Sequence, residues 1–155
     1  MKTKILNCLL VGMLVLSFGC SNETGIMDYP KVIDVISLDL REGCVWSYNA
    51  REISIDSAYV INSQETLSKF ISCDDDHQVD FDKNTVLFVW ETATSDIYLR
   101  SYKLIQLSQD KFQLELNVEQ GMTTAPGSWQ VALSIPKITQ KAAVNLIINR
   151  INNIQ

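Results

Sequence analysis

Residues 112–118, Phe-Gln-Leu-Glu-Leu-Asn-Val, alternate strictly between apolar and polar side chains. Successive side chains of a strand point to opposite faces, so this period of two predicts a strand with one face on a core. Trp129, Val131, Leu133 and Ile135 repeat the pattern, as do Val144, Leu146 and Ile148. Thr85-Val86-Leu87-Phe88-Val89-Trp90 is apolar without interruption after its threonine, which predicts a central strand covered on both faces. Tyr98 to Leu107 reads as a further strand, joined to 112–118 through the polar turn Ser108-Gln109-Asp110-Lys111. Val32–Leu40, Cys44–Tyr48 and Ile53–Ile61 complete the set.

One segment departs from that period. Leu67, Phe70 and Ile71 are spaced i, i+3, i+4, and Asn62 stands three residues before Glu65 as in a capping box. The spacing predicts a short helix over 63–72, with one apolar stripe laid on a sheet. The fold class that follows is α+β: a mainly antiparallel, bent sheet, closed as a sandwich or partial barrel, with one short helix.

The N-terminus carries a different pattern. Lys2 and Lys4 precede an apolar run from Ile5 to Leu16, interrupted only near Asn7 and Cys8. A basic start before an apolar stretch of about 12 residues is the layout of a secretory signal. The run is shorter than the roughly 20 residues that cross a bilayer. Between Leu9 and Leu16 it has no polar face for a buried amphipathic helix. Ser17 and Gly19 offer small residues at −3 and −1, which suits ordinary signal peptidase. The same residues, Ser17-Phe18-Gly19-Cys20, resemble a bacterial lipobox, in which Cys20 is acylated and becomes the first residue of the mature chain. Ser17 occupies the slot that is usually aliphatic, a looser form that resembles the lipoboxes of Bacteroidetes. The chain then divides into a signal peptide (1–19), a lipidated tether (20–31) and a single β-rich domain (32–155). Ser21 after the cysteine resembles outer-membrane sorting, on the periplasmic face or at the cell surface.

Charge and cysteine count sharpen this picture. Loss of residues 1–19 removes Lys2 and Lys4 and no acid, so the formal charge moves from −5 to −7. Phosphate backbones need a basic footprint, so nucleic acid is excluded as a partner class. With Cys8 cleaved away and Cys20 acylated, Cys44 and Cys73 remain as an even pair in an oxidising compartment, which favours a disulfide.

Candidate chemistry is sparse. His77 is the single histidine and follows Cys73-Asp74-Asp75-Asp76. A Cys/His nucleophile needs a third group to orient the base, and none is identifiable; no Gly-x-Ser-x-Gly elbow occurs. Asp74, Asp75, Asp76, Asp80 and Asp82 are hard oxygen ligands. Counted as a calcium loop from Asp74, however, position 5 is Gln78, position 6 is Val79 and position 12 is Thr85, so that pattern fails; a solvated loop after the helix is the plainer reading, with a looser calcium site as its alternative. The sequence therefore gives no catalytic residue, metal site or cofactor. Tyr98, Arg100 and Tyr102 alternate on one strand face, where two aromatic planes flanking a guanidinium suit a sugar or a peptide; half-buried packing is the plainer alternative. Residues 119–128 form a loop longer than a hairpin needs. Its uncharged Met122-Thr123-Thr124-Ala125 suits entry into a partner's cleft, against the plainer reading of a connection. Trp46, Trp90 and Trp129 all fall in strand patterns and are expected in the core.

Three local features lie within Ile61–Arg150. Asn62-Ser63-Gln64-Glu65 opens a helix, Asp80-Phe81 precedes the strand Val86–Trp90, and Trp129-Gln130-Val131 leads to Ile135-Pro136-Lys137. On these the stretch resembles small Bacteroidetes envelope lipoproteins similar to the C-terminal domain of protease-complex-associated lipoproteins. Where that family often carries a Gly-Tyr-Ser-Ile-like stretch, this chain has Asp96-Ile97-Tyr98-Leu99. The resemblance implies a binding or chaperone-like role beside another envelope protein, with no catalytic residues to carry over. The expected function is a non-enzymatic, membrane-anchored protein-binding module. A protease inhibitor acting through 119–128 and a glycan-binding module are the alternatives. Metabolic labelling with palmitate should mark the wild-type chain and be lost on Cys20→Ala; label retained by the variant would contradict acylation at that thiol.

Overall fold

The computed structural model describes residues 28–38, 44–46, 57–73, 79–122 and 127–152. Cys20, His77, Asp74–Asp76 and Thr123–Ala125 lie outside these residues. The strict alternation of the second half becomes five long strands: β6 (Asn84–Ala93), β7 (Ile97–Ser108), β8 (Lys111–Gln120), β9 (Gly127–Pro136) and β10 (Ala143–Asn152). Ahead of them stand the short strands β1 (Lys31–Ile33), β2 (Ile36–Ser37), β3 (Cys44–Trp46), β4 (Tyr59–Ile61) and β5 (Ile71–Cys73), and one helical turn, α1 (Gln64–Leu67).

Two four-stranded sheets, ordered β1-β7-β8-β10 and β2-β9-β6-β4, face each other. Leu104 from β7, Leu114 and Leu116 from β8, Leu87 and Val89 from β6, and Leu133 from β9 meet in one cluster between them. Neither sheet closes on itself, so the fold is an open sandwich.

The second sheet is covered on its outer face as well. Val86 and Phe88 of β6, Ala132 of β9, Ile61 of β4, Leu67 of α1 and Ile71 of β5 form a second cluster there. Phe70 stacks on Phe88 with ring centroids 5.6 Å apart and meets Tyr59 at 5.5 Å. Residues 85–89 of β6 are all buried as a result. The unbroken apolar run is thus explained by two cores, one on each side of a single strand.

Three expectations are corrected. The helix is one turn long instead of the span 63–72, and Ser63, not Asn62, caps it by accepting a hydrogen bond from the Thr66 amide at 3.2 Å. After Ser68 the chain tightens, with Lys69 bonded to Thr66 and Phe70 to Leu67. Residues 71–73 then extend to pair with β3, where Cys73 stands opposite Cys44 and is bonded to it. The bridge spans 29 residues, a closure that disfavours the unfolded chain by about 3.5 kcal/mol in the chain-entropy account. The predicted strand Val32–Leu40 is split, because Asp34 and Val35 carry the chain from the first sheet (β1) to the second (β2). Among the described residues the fold is mostly β, with helix confined to α1, and the strand pairings are mainly antiparallel as expected; the exception is β10, which runs parallel to β8 over all ten of its residues.

That parallel pairing follows from the route of the chain. β9 returns through the opposite sheet, so β10 can rejoin the first sheet only in the direction of β8. A polar clasp fixes the crossover. The fully buried Thr85 hydroxyl donates to Asn62 Oδ1 and accepts from the Ile138 amide at 3.0 Å. The Asn62 amide donates to Ile138 O at 3.1 Å, and Gln140 donates to Val60 O at 2.9 Å. Asn62, read in the sequence as a helix cap, therefore holds the β9–β10 crossover.

Removing the hydroxyl leaves two part-buried partners, Asn62 Oδ1 and the Ile138 amide, without it; a stranded buried group costs about 1–3 kcal/mol. Thr85→Val should lower stability to urea by an amount in that range, and Thr85→Ser should restore most of it. Equal stability of the valine variant would contradict the clasp.

Candidate binding surface

One end of the sandwich gathers the end of β6, where Ala93 pairs with Gly127, the start of β7, where Ile97 pairs with Gln120, and the end of β10, where Asn152 pairs with Gln120. Both surfaces singled out in the sequence arrive at this end.

The pairing of β7 with β8 slips at Arg100. Leu99 stands opposite Val118 and Ser101 opposite Asn117, leaving Arg100 as the extra residue of a β-bulge. A bulge changes which parity faces the core. Ile97 and Leu99 pack inward before it; Tyr102 and Leu104 pack inward after it. Tyr98 is 51% exposed, while Tyr102 is half-buried against the core, so the expected single face of Tyr98, Arg100 and Tyr102 does not form. The sequence held a signal for this: its apolar positions shift from 97 and 99 to 102 and 104.

The outward row at this end consists of Tyr98, Glu119 and Ile151, neighbours across β7, β8 and β10. Arg100 donates through Nε to Glu119 Oε2, and this hydrogen bond raises the guanidinium pKa above its ordinary value. One step inward along the strands, Asn149 donates to Asn117 at 3.0 Å, and Asn117 donates to Ser101 at 2.7 Å. Beyond β8, the Gly121 amide donates to Asp96 O at 2.7 Å. A Cβ on Gly121 would lie 3.1 Å from Asp96 Cβ and 3.3 Å from the Tyr98 ring, so the absence of a side chain lets the loop run under that ring. Met122 follows at 93% exposure. β8 runs on to Gln120 and β9 starts at Gly127, so the expected loop 119–128 narrows to residues 121–126; Tyr98, Arg100, Glu119, Gly121 and Met122 are therefore one surface.

Behind it lies a pair the sequence reading did not single out. Glu91 continues the inward parity of Leu87 and Val89 and is buried opposite Trp129. Arg150 continues the parity of Val144, Leu146 and Ile148, and its Nη2 reaches across the sandwich to Glu91 Oε1. The signal was present, because a charge on the core-facing parity of a strand needs a partner. Trp129 is buried as expected and Trp90 is half-buried against the second cluster; the Trp46 side chain lies outside what is described.

The opposite end carries an open cleft of about 480 Å³ lined by Asn62, Ser63, Gln64, Val79, Asp80, Phe81, Asp82 and Lys137. Asp80 is engaged in its turn. It accepts from the Asp82 amide at 3.1 Å and from Lys83 Nζ at 2.8 Å, and the lysine hydrogen bond lowers its pKa. Lys137 is likewise occupied, donating to Asn62 O at 3.2 Å and to Phe81 O. Among the described residues no group of three or more His, Cys, Asp or Glu side chains could hold a metal ion, and no helix is long and apolar enough to cross a membrane.

Comparison of the chain with protein-family models, with curated proteins and with solved structures found no match.

The two ion pairs at this end differ in exposure. The side chains are 56% and 21% exposed for Arg100 and Glu119, against 39% and 11% for Arg150 and Glu91. An exposed pair contributes less than about 1 kcal/mol. Breaking a buried pair strands a charge and costs roughly 3 kcal/mol. In urea unfolding Arg150→Ala should be clearly more destabilising than Arg100→Ala. The reverse order would contradict the inward placement of Glu91.

Proposed function

We propose that this chain is a non-enzymatic lipoprotein of the bacterial envelope, anchored through Cys20 in the outer membrane. It binds another envelope protein through the end of the sandwich that carries Tyr98, Arg100, Glu119, Met122 and Ile151. The observation that carries the reading is the composition of that end. Tyr98, Met122 and Ile151 are three of the seven exposed large hydrophobic residues described, and they surround an Arg–Glu pair. Aromatic residues, methionine and arginine are the side chains enriched at protein interfaces. Exposed apolar side chains gathered around polar ones mark such a site more often than scattered single residues do.

The direction of the tether supports the same reading. Lys31 pairs with Gln106, next to the Ser108–Lys111 turn, so the chain from Cys20 enters the domain at the end opposite the surface. At about 3.4 Å per residue the two ends of β7, Ile97 and Ser108, are roughly 37 Å apart. An anchor at one end leaves the other facing away from the bilayer.

Protease inhibition through residues 119–128 is the second reading. It is favoured by Met122, which is almost fully exposed immediately after a backbone fixed by the Gly121–Asp96 hydrogen bond. The glycan reading loses one of its two aromatic planes, because Tyr102 turns toward the core.

Affinity capture of the tagged, lipidated protein from its own envelope should recover a reproducible partner. The Tyr98→Ala/Met122→Ala variant should reduce that recovery about tenfold or more, as for other interface anchors. Unchanged recovery with the double variant, or no partner with the wild type, would overturn the reading.

A further inference from the structure

The end of the domain where the tether enters carries apolar side chains that neither core uses. Val32 of β1 stands opposite Ile105 of β7. Their neighbours Ile33 and Leu104 pack into the sandwich, so Val32 and Ile105 share the outer face of the first sheet. Just beyond, the register of β7 against β8 slips between Gln106 and Ser108, and Leu107 is the extra residue. Val32 is 58% exposed and Leu107 45%, while Ile105 is half-buried, and all three lie outside both core clusters. Tyr98, Met122 and Ile151 gather at the far end of the sandwich; Val32 and Leu107 are a second such group, at the near end.

Lysines flank the patch along the strand direction. Lys103 lies two residues before Ile105, and Lys111 pairs with Ser108 just past Leu107; both are exposed. Their long stems let the ammonium groups reach away from an apolar contact into a polar layer. Glu115 stands opposite Lys103, and Asp110 adjoins Lys111 in the turn, so the surroundings are balanced in charge. The apolar side chains, not net charge, therefore select what the patch touches.

The length of the tether indicates the occupant. Asp28 is the first described residue, three positions before Lys31 of β1. The eight residues from Cys20 to Asp28 span at most about 29 Å when fully extended. An acylated Cys20 thus keeps this end of the sandwich beside the bilayer, while the Tyr98 end is a strand length away. Of the two exposed apolar groups, only this one is held where lipid is always present.

We propose that Val32, Ile105 and Leu107 form a lipid-contacting patch on which the tethered domain rests. The inference depends on the acylation of Cys20 proposed above. The three side chains enter the boundary between headgroups and acyl chains, about 5–10 Å deep as for other surface-lying amphipathic elements. Lys103 and Lys111 extend to the lipid phosphates. The contact turns a flexible attachment into a fixed orientation, with the Tyr98 and Met122 surface directed away from the membrane.

Depth-dependent fluorescence quenching tests this on the acylated protein in vesicles of phosphatidylethanolamine and phosphatidylglycerol. An environment-sensitive fluorophore is attached to Val32→Cys, Leu107→Cys or Met122→Cys; Cys44 and Cys73 are bridged and Cys20 is acylated, so the introduced thiol alone reacts. Labels at 32 and 107 should shift to the blue, and nitroxide-bearing lipid should quench them about twofold or more beyond the label at 122. Val32→Asp, a change at an exposed position, should return the label at 107 to the behaviour of the label at 122. Flotation separates the two claims. A chain that floats with the vesicles while position 107 is quenched no more than 122 keeps the anchor and overturns the patch. A chain that does not float overturns both. A blue shift at 107 that nitroxide lipid does not quench would mean that a second copy or another protein covers the patch, and would overturn the lipid contact.

Discussion

Burial of β6 on both faces is the constraint from which the rest of this molecule follows. Leu87 and Val89 close the core between the two sheets, while Val86 and Phe88 close the second core under α1, β5 and the Cys44–Cys73 bridge. Full burial of such a side chain is worth about 1.5–3 kcal/mol, so a few residues of one strand hold three layers together. A strand used in this way must be paired along its whole length, and β9 provides that with ten successive partners. Placing β9 in the second sheet then dictates the return of β10 to the first, parallel to β8. The Asn62–Thr85–Ile138 clasp holds that return at the end where the chain crosses over.

The other end is built from what this arrangement leaves over. Near the ends of β6 and β10 the inward positions carry Glu91, between Val89 and Ala93, and Arg150, after Ile148. Neither charge would be tolerated deeper in the sandwich; at its rim they meet across the gap between sheets. On the outer face, the bulge at Arg100 turns one arginine outward to Glu119 and rotates Tyr102 into the core. The same slip leaves Tyr98 over Gly121, so that the strand and the loop present a common surface. Interior electrostatics and surface composition at this end are thus two consequences of how the strands terminate.

Much of this was legible in the residues. The alternation over 112–118, 129–135 and 144–148 located three strands, and the unbroken run from Val86 to Trp90 announced burial on both faces. The pairing of Cys44 with Cys73 was inferred from compartment alone, and the two cysteines lie directly opposite each other. What failed was decided by contacts far along the chain. Leu67, Phe70 and Ile71 have helical spacing and do pack as one apolar group, but strand pairing with residues 44–46 pulls Ile71 out of the helix. Asn62 has the chemistry of a cap and is recruited instead by Thr85 and Ile138. Strict alternation at 98, 100 and 102 suggested a shared face because a bulge is invisible to a period of two, unless the parity shift of the neighbouring apolar residues is read as well.

In the proposed arrangement the anchor joins the domain beside the Ser108–Lys111 turn and the partner surface lies at the opposite end. Site-specific photocrosslinking in intact cells tests it most directly, with the reactive side chain placed at Met122 in one strain and at Gln109, in the turn near the tether, in another. The account predicts a discrete crosslinked product to one envelope protein from position 122 and none from position 109. The same product from position 109, with none from position 122, would contradict it.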